Sequence, residues 1–266
     1  DLSSDRQSEN TSGIIHANRL HTICESGLCP NRAECWRLGT ATLMIGGNIC
    51  TRHCRFCNTP SGRPLPLDGD EPQRVAESVK EMNLKYVVLT SVDRDDLPDM
   101  GAEHWRQTVE AVRQLCPAKI EVLLPDFQGR DDLMDIVLLS RPDVVAHNIE
   151  TVRRLTPVVR SVATYEGSLH VLRHIHEQGF VAKSGLMLGL GETEAEVLQT
   201  LRDLRDSGVD RVTIGQYLQP TAHHLPVAAY IAPDKFRWYR DQALQMGFRS
   251  AVSGPLVRSS YKAGMD

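Results

Sequence analysis

Residues 49–58 read ICTRHCRFCN and place Cys50, Cys54 and Cys57 in a C-x3-C-x2-C spacing. A closed structural zinc site takes four protein ligands, whereas an iron–sulfur cubane held by three thiolates leaves one iron open. One short loop with this spacing can wrap one face of such a cluster. The two arginines within the loop, Arg52 and Arg55, are cations of the kind that favour thiolates over thiols. The stretch therefore predicts a loop-borne cluster with one open iron.

The same loop has an alternative interpretation as a zinc site. His53 would then supply the fourth ligand beside the three thiolates. Because His53 lies inside the tight loop, we expect its side chain to face solvent instead.

A second set of three cysteines precedes the loop. Cys24, Cys29 and Cys35 stand in a C-x4-C-x5-C spacing. A structural zinc site completed by His16 or His21 is one interpretation. Two neighbouring triplets that each lack a fourth cysteine favour one kind of site for both, with a fourth ligand that is not a cysteine.

Composition places the chain in a broad class. Six of its seven cysteines fall between residues 24 and 57, and the odd count argues against a disulfide framework. Clustered thiols in a chain of 266 residues indicate metal binding in a reducing compartment. The seventh, Cys116, precedes a proline and is expected to fill buried apolar space.

Charge and hydropathy exclude two classes of partner. The net charge of -4, with no concentrated run of Lys and Arg, predicts no nucleic-acid surface. No apolar run approaches the roughly 20 residues needed to cross a bilayer. Residues 1–13 are polar and read as a tail or as a tie to something else. We expect a cytoplasmic protein, or a mitochondrial or plastid one if the source is eukaryotic and a targeting segment is missing upstream.

From residue 41 onward, short apolar runs alternate with amphipathic stretches. The runs predict strands near 41–46, 86–92, 119–125, 144–149, 181–188 and 211–218, and the stretches predict helices near 72–83, 101–116, 131–139, 166–179, 194–207 and 233–246. Pro72 suits a first helical turn, Thr193 with Glu196 has the spacing of a capping box, and Gly179 and Gly208 follow helix ends.

Six βα units predict a parallel sheet. Since a closed barrel of this kind needs eight, the fold class predicted is α/β, an open, partial (β/α)6 TIM-like barrel with N-terminal and C-terminal extensions at its mouth. The domain limits expected are 1–40 for the extension with the first triplet, 41–247 for the barrel and 248–266 for a C-terminal tail.

Polar residues follow several of the predicted strands, at the carboxyl ends where such barrels place their active sites. The cysteine loop follows the first strand. The others are Ser91 and Asp93 to Asp96 after the second strand, His147, Asn148 and Glu150 after the fourth, and Gly189, Gly191 and Glu192 after the fifth. Convergence of these residues on one rim favours a single active site there.

The cysteine loop, with Phe56 before its third cysteine, resembles the signature of the radical S-adenosylmethionine superfamily. The resemblance implies that the open iron chelates S-adenosylmethionine, which is cleaved to methionine and a 5′-deoxyadenosyl radical, so that the cofactor carries the difficult chemistry. It also implies an approach of residues 184–192 to the adenosine. The cofactor contacts it implies are Phe56, Thr90 and Ser91 at the methionyl end, Asn148 near the ribose, and Arg160 and Glu192.

The first triplet and the end of the chain narrow the resemblance to one family within this superfamily. Together with Arg258-Ser259-Ser260-Tyr261 and Ala263, they are similar to the lipoyl synthase family over residues 14–266. The resemblance implies two 4Fe-4S clusters. The auxiliary one is held by Cys24, Cys29 and Cys35, with Ser260 as fourth ligand and Arg258 steadying the cluster or the substrate. A hydroxyl is a harder donor than a thiolate, so the Fe–O link should be displaced more easily.

The resemblance also implies a reaction and partners. An octanoyl chain on a lysine of a lipoyl carrier has no acidic hydrogen at C6 or C8, so acid–base catalysis has nothing to act on. Two cleavages of S-adenosylmethionine would produce substrate radicals that capture sulfur from the auxiliary cluster. The partners implied are an octanoylated carrier, either H protein or an E2 subunit, and an electron donor such as flavodoxin or ferredoxin. The alternatives are a radical methylthiotransferase and a non-catalytic zinc-binding module.

Overall fold

The computed structural model describes residues 11–261, 263 and 264. The predicted polar tail lies outside the described residues up to residue 10, but residues 11–13 belong to a helix, α1, which includes residues 11–17. The tail prediction is therefore wrong for those three residues. Ile14 and Ile15 are buried, and their packing holds the adjoining polar turn in helical form.

The chain forms two compact units. The first contains residues 11–52 and 59–143 and the described residues from 260 onward; the second contains residues 53–58 and 144–259. The boundaries fall inside the cysteine loop, so Cys50 belongs to the first unit and Cys54 and Cys57 to the second.

The first unit is built on a four-stranded sheet. The strands are β1 (His21–Thr22), β2 (Thr40–Ile45), β3 (Tyr86–Ser91) and β4 (Lys119–Leu123). β1 pairs antiparallel with β2, while β2, β3 and β4 pair in parallel. All six residues of β2 are buried, as expected for a parallel strand covered on both faces. The helices of this unit after α1 are α2 (Ile23–Ser26), α3 (Arg32–Arg37), α4 (Glu71–Glu81), α5 (Ala102–Leu115) and α6 (Asp131–Leu138).

The second unit repeats this pattern. Its parallel strands are β5 (Val144–Ala146), β6 (Ala182–Leu188), β7 (Arg211–Gln216) and β8 (Ser250–Gly254). Its helices are α7 (Thr156–Val159), α8 (Tyr165–Glu177), α9 (Glu194–Asp206) and α10 (Pro233–Gln245). Leu186, Leu201, Ile214 and Phe236 belong to its buried core, where strands meet helices. Within the described residues, no helix has the length and apolar character needed to cross a membrane.

Most predicted elements are confirmed. The six predicted strands correspond to β2–β7 and the six predicted helices to α4, α5, α6, α8, α9 and α10. Thr193 and Glu196 form the capping box at the start of α9. Gly179 and Gly208 follow α8 and α9 with φ of +82° and +84°, the left-handed conformation that favours glycine.

The missed elements lack apolar periodicity. β8 lies inside the predicted C-terminal tail and pairs with β7. All five of its residues, Ser-Ala-Val-Ser-Gly, are only half-buried. Because they are mostly small or polar, the sequence contains no apolar run that would predict this strand. The strand predicted over 144–149 ends at Ala146, and Glu150 then takes a positive φ of 67°. β1, α2, α3 and α7 have two to six residues each and are too short for a periodic pattern.

Candidate metal and cofactor sites

The cysteine loop starts at the end of β2. The sulfur of Cys50 accepts hydrogen bonds from two backbone amides, those of Arg52 at 3.4 Å and Asp93 at 3.3 Å. The Thr51 amide in turn donates to the Asp93 carbonyl at 3.1 Å. Two N–H groups directed at one sulfur suit a thiolate better than a thiol, because the charged form is the stronger acceptor. The Cys50 thiol also donates to Asp93 Oδ2 at 3.7 Å, so the segment after β3 contacts this sulfur through both the amide and the carboxylate of Asp93.

Arg52 belongs to the loop but is buried, with 5% of its surface exposed. Its guanidinium makes a two-point contact with Asp95, at 2.7 and 2.9 Å, and binds Asp126 at 2.7 Å and Asp93 at 3.4 Å. Burial, opposed by Arg52, raises the pKa of Asp93 to about 6. The sequence suggested that Arg52 is a cation available to the thiolates. Instead, three carboxylates surround its charge, and the residue ties the loop to the segments after β3 and β4.

Replacing Arg52 with methionine should destabilise the protein. The change leaves buried carboxylates without their cation, and breaking a buried ion pair from one side costs about 3–5 kcal/mol. Urea unfolding of R52M would measure the loss. Arg130→Met is the matched control, because Arg130 pairs with Asp132 at the surface and should leave the midpoint unchanged. Equal midpoints for R52M and the parent protein would contradict this account.

The second half of the loop is held within the second unit. The amides of His53 and Arg55 donate to Ser161 Oγ at 3.3 Å and to the Val159 carbonyl at 2.9 Å. The Leu225 amide donates to the Arg55 carbonyl, and His224 Nε2 lies 3.0 Å from the Cys57 carbonyl. These contacts fix the backbone around Cys54 and Cys57, while the cysteine side chains stay half-buried. His53 is exposed, as predicted.

The first triplet lies within the first unit. Cys24 is buried in α2, Cys29 follows the turn after it, and Cys35 lies in α3. Burial and the nearby sulfurs of Cys29 and Cys35 raise the pKa of Cys24 to about 11. Without metal, Cys24 is therefore a neutral thiol, and metal binding must displace its proton.

Ser260 is linked to this triplet by Thr42 of β2. Thr42 Oγ1 donates a hydrogen bond to Ser260 Oγ at 2.8 Å, and hydrogen bonding with Thr42 acts against the raised pKa of Cys24. The neighbouring Tyr261 hydroxyl donates to Glu34 at 3.2 Å, one residue before Cys35. The structure thus brings the predicted serine into the surroundings of the triplet.

Arg258 belongs to the second unit. Its guanidinium donates to the Val257 carbonyl at 2.8 Å and to the Gln216 carbonyl at 3.4 Å, at the carboxyl end of β7. Gly215, one residue earlier, leaves no room for a side chain, since a Cβ there would lie 2.1 Å from the Val257 carbonyl. The glycine lets the segment before Arg258 lie directly against the strand.

The predicted cofactor contacts divide between the units. Thr90 and Ser91 end β3 in the first unit, and Thr90 Oγ1 donates to the Leu123 carbonyl at 3.4 Å. Asn148, Arg160 and Glu192 lie in the second unit, as does the half-buried Phe56. These placements leave the individual contacts as predictions.

The side-chain oxygen of Asn148 receives no hydrogen bond from the described residues. This atom, Oδ1, is buried. The atom lies over Gly185 of β6, where an added Cβ would approach it to 2.7 Å. Arg160 supports this segment by donating to Ser168 Oγ at 2.6 Å and to the Asn148 carbonyl at 3.3 Å. A glycine beside an unsatisfied acceptor suits a ligand hydroxyl and so fits the ribose of S-adenosylmethionine.

The Glu192 carboxylate bonds to the backbone of its own loop. It accepts hydrogen bonds from the amides of Gly189 at 2.6 Å and Leu190 at 2.9 Å. Gly189 and Gly191 have φ of +96° and +104°. The side chain therefore shapes the turn that follows β6, which is a positioning role in addition to the predicted contact.

The donor sets fit clusters of the predicted kind. Among the described residues, no three His, Cys, Asp or Glu side chains are arranged to hold a single metal ion. A cubane is larger than one ion, and its thiolates stand correspondingly farther apart. Each triplet offers three sulfurs, the first with a nearby hydroxyl and the second with an amide donor to Cys50 and a hydroxyl within hydrogen-bond distance of Cys54.

Sequence reasoning missed several residues at these sites. Thr42, Ser161 and His224 contact Ser260, Cys54 and Cys57, respectively. None belongs to a recognisable motif, since each contacts a residue more than a hundred positions away in the sequence. Cys116 was expected to be buried but is only half-buried, with its thiol donating to the Val112 carbonyl at 3.3 Å.

Comparison with known proteins identifies the class. The Radical SAM superfamily model matches residues 44–204. Methylornithine synthase aligns with a TM-score of 0.62 at 15% identity, over 85% of this chain and 76% of that one. Streptococcus suis SuiB bound to S-adenosylmethionine gives 0.66 at 11% identity, over 85% and 52%. The fold and the cysteine loop define a radical SAM protein, and the predicted open, partial (β/α)6 barrel is confirmed.

Curated relatives identify the family to which the chain belongs within this superfamily. Lipoyl synthase of Parabacteroides distasonis is 56% identical over 263 residues, 98% of this chain and 94% of that protein. Lipoyl synthase of Bacteroides fragilis is 57% identical over 254 residues, 95% and 88%, and that of Treponema denticola is 54% identical over 257 residues, 96% and 89%. The chain belongs to the lipoyl synthase family. It is a radical SAM sulfurtransferase, as the sequence predicted, and the superfamily implies a 4Fe-4S cluster and S-adenosylmethionine.

Proposed function

We propose that this protein inserts sulfur at C6 and C8 of a protein-bound octanoyl chain, drawing the sulfur from a second 4Fe-4S cluster held by Cys24, Cys29, Cys35 and Ser260. The observation that carries the second site is the contact of Thr42 with both Cys24 and Ser260. A thiol triplet with a hydroxyl held beside it is the donor set that a displaceable fourth ligand requires.

The first site would be held by Cys50, Cys54 and Cys57. S-adenosylmethionine bound there supplies one-electron chemistry that can remove unactivated hydrogens. The protein's contribution is to fix the ligands. Two amides hold Cys50 against the end of β3, and the contacts of His53 and Arg55 hold the backbone on both sides of Cys54. The Arg52 contacts hold the first part of the loop on the segments after β3 and β4.

Asn148 and its surroundings would bind the ribose. The buried Oδ1 supplies the acceptor, Gly185 leaves space for a close approach, and Arg160 fixes the backbone carbonyl of Asn148. Desolvation raises the pKa of Glu150, two residues on, although the Arg160 charge opposes it. Thr90, Ser91, Phe56 and Glu192 complete the proposed set of contacts with the cofactor.

Asn148→Ala should weaken the binding of S-adenosylmethionine. A lost hydrogen bond from a buried acceptor is worth about 1–1.5 kcal/mol, or about a tenfold rise in Kd. Equilibrium dialysis with the reconstituted protein would measure it. Gln199→Ala is the control, because Gln199 is an exposed amide on α9 that bonds Asp203. Equal affinity in both variants would argue against a ribose contact.

The tail would close the second site. Ser260 is placed by Thr42, and Tyr261 binds Glu34 beside Cys35, so two adjacent tail residues contact β2 and α3. An alkoxide is a harder donor than a thiolate, so this ligand is the one most readily displaced from iron. Arg258 would steady the cluster or the substrate by charge-assisted hydrogen bonds.

The proposed partners follow from the substrate. They are an octanoylated lipoyl carrier, either H protein or an E2 subunit, and an electron donor such as flavodoxin or ferredoxin. The net charge of -4 provides no counter-charge for a nucleic acid. A cytoplasmic location, or an organelle in a eukaryotic source, remains part of the proposal, as do the division at residues 40 and 247 and the C-terminal tail.

The test is direct. The anaerobically reconstituted protein is incubated with an octanoyl-lysine peptide, S-adenosylmethionine and a strong reductant, and the peptide is analysed by mass spectrometry. Two added sulfurs, absent when Cys24, Cys29 and Cys35 are all replaced with alanine, support the proposal. A peptide unchanged beside normal cleavage of the cofactor would refute it.

A further inference from the structure

Ser161 lies just after α7 and against the sulfur of Cys54. Its Oγ is 3.5 Å from Cys54 Sγ, within hydrogen-bond distance for sulfur, and accepts a hydrogen bond from the His53 amide at 3.3 Å. An oxygen that already accepts from an N–H has its own proton to donate. When Cys54 binds iron as a thiolate it has no proton, so the Ser161 hydroxyl is then the donor in this contact.

The surrounding backbone fixes this contact. The amides of His53 and Arg55, on either side of Cys54, both donate to the segment from Val159 to Ser161. The Cys57 amide donates to the Cys54 carbonyl at 3.1 Å, which tightens the same turn. Cys54 and Ser161 are thus carried on two segments tied at two points, and both side chains are half-buried. These backbone contacts therefore hold the Ser161 hydroxyl next to the Cys54 sulfur.

A hydrogen bond to a ligating sulfur changes the chemistry of an iron–sulfur cluster. It withdraws electron density from the thiolate and favours the more negative, reduced cluster, so it raises the reduction potential. We propose that Ser161 is a positioning residue that raises the reduction potential of the first cluster by donating a hydrogen bond to Cys54 Sγ. The inference rests on the Cys50, Cys54 and Cys57 cluster of the proposed function, but on neither Ser260 nor the octanoyl substrate.

The test compares two side chains of nearly equal shape. Ser161→Thr keeps the hydroxyl, and Ser161→Val replaces it with a methyl group. Both variants are reconstituted as full chains, and the midpoint potential is measured by anaerobic redox titration with electron paramagnetic resonance. S161V should have the more negative potential, with a ratio of reduced to oxidised cluster about tenfold smaller at a given potential, which corresponds to about 59 mV for a one-electron couple. S161T should match the parent protein.

The iron content of the variants shows whether Ser161 changes the potential of the cluster or only packs against the loop. The inference requires S161V and S161T to bind as much iron as the parent protein. Equal potentials in the two variants would overturn it, as would a loss of iron from both, since that result assigns Ser161 to loop packing alone. Ser207→Ala is the matched control, because Ser207 Oγ is buried without a partner among the described residues and should leave the potential unchanged.

A background without the first triplet assigns the signal to the cluster at Cys50, Cys54 and Cys57. Both substitutions are repeated with Cys24, Cys29 and Cys35 changed to alanine, and the same shift between S161V and S161T is expected there. A normal shift without sulfur insertion in the full protein would refute the proposed function and leave the inference standing. Sulfur insertion by the full protein, together with equal potentials in S161V and S161T, would support the proposed function and refute the inference about Ser161.

Discussion

Cys57→Ala is expected to eliminate cleavage of S-adenosylmethionine and halve the iron of the reconstituted protein, from about eight to about four per chain. Three thiolates are the minimum that holds a cubane with one open iron, and the loop offers no spare sulfur. The hydroxyl of Ser161 is held by the His53 amide at Cys54, and His224 binds the Cys57 carbonyl, so neither is free to replace the lost ligand. Iron analysis and chromatography of 5′-deoxyadenosine measure both effects.

Cys116→Ala provides the matched control for this result. Cys116 is also half-buried, but its thiol donates to the Val112 carbonyl of the preceding helix, α5, and it belongs to neither triplet. Iron content and cofactor cleavage should both stay at the level of the parent protein. If C57A retained cleavage, or if C116A lost iron as C57A did, the assignment of the first cluster to this loop would fail.

The two triplets could be read from the sequence because ligand spacing is local. A loop that wraps a cluster must bring its cysteines within a few residues of one another, so Cys50, Cys54 and Cys57 carry the signal by themselves. The alternation of strands and helices is also local, and it predicted β2–β7 with their main helices. Ser260 came from resemblance alone, since a serine in a polar tail has no intrinsic mark of a metal ligand.

The supporting contacts could not be predicted in this way. Thr42 and Ser260 are 218 positions apart, and Cys54 and Ser161 are 107 apart. Glu71 accepts a hydrogen bond from the Gly46 amide at 2.8 Å and lies 2.6 Å from His104 Nε2, so a buried pair on two helices holds the residue after β2. Each such contact depends on how the elements pack, and a single Thr, Ser, Glu or His is too common to indicate its partner. Arg52 was misjudged for the same reason, because its three carboxylates lie in two other loops.

Ser260→Cys is expected to give a protein that assembles both clusters but inserts sulfur about 10- to 100-fold more slowly, the range found when the surroundings of a metal are altered. A fourth thiolate would bind iron more tightly than the hydroxyl and would be harder to displace. The Thr42 hydroxyl, which donates to Ser260 Oγ at 2.8 Å, would face a sulfur instead and remain able to donate to it. The substitution therefore changes the strength of the fourth ligand more than the packing of the tail.

Two measurements separate this effect from damage to the first site. Cleavage of S-adenosylmethionine by S260C should proceed at the rate of the parent protein, while the dithiolated peptide accumulates slowly. Ser259→Cys tests the register, because Thr42 bonds to Ser260, the second serine of the pair. A sulfur-insertion rate in S260C equal to that of the parent protein would show that release of the fourth ligand does not limit the reaction. Slow insertion in S259C alone would move the ligand to the neighbouring residue, and the path from Cys24 through Thr42 to the tail would lose its role.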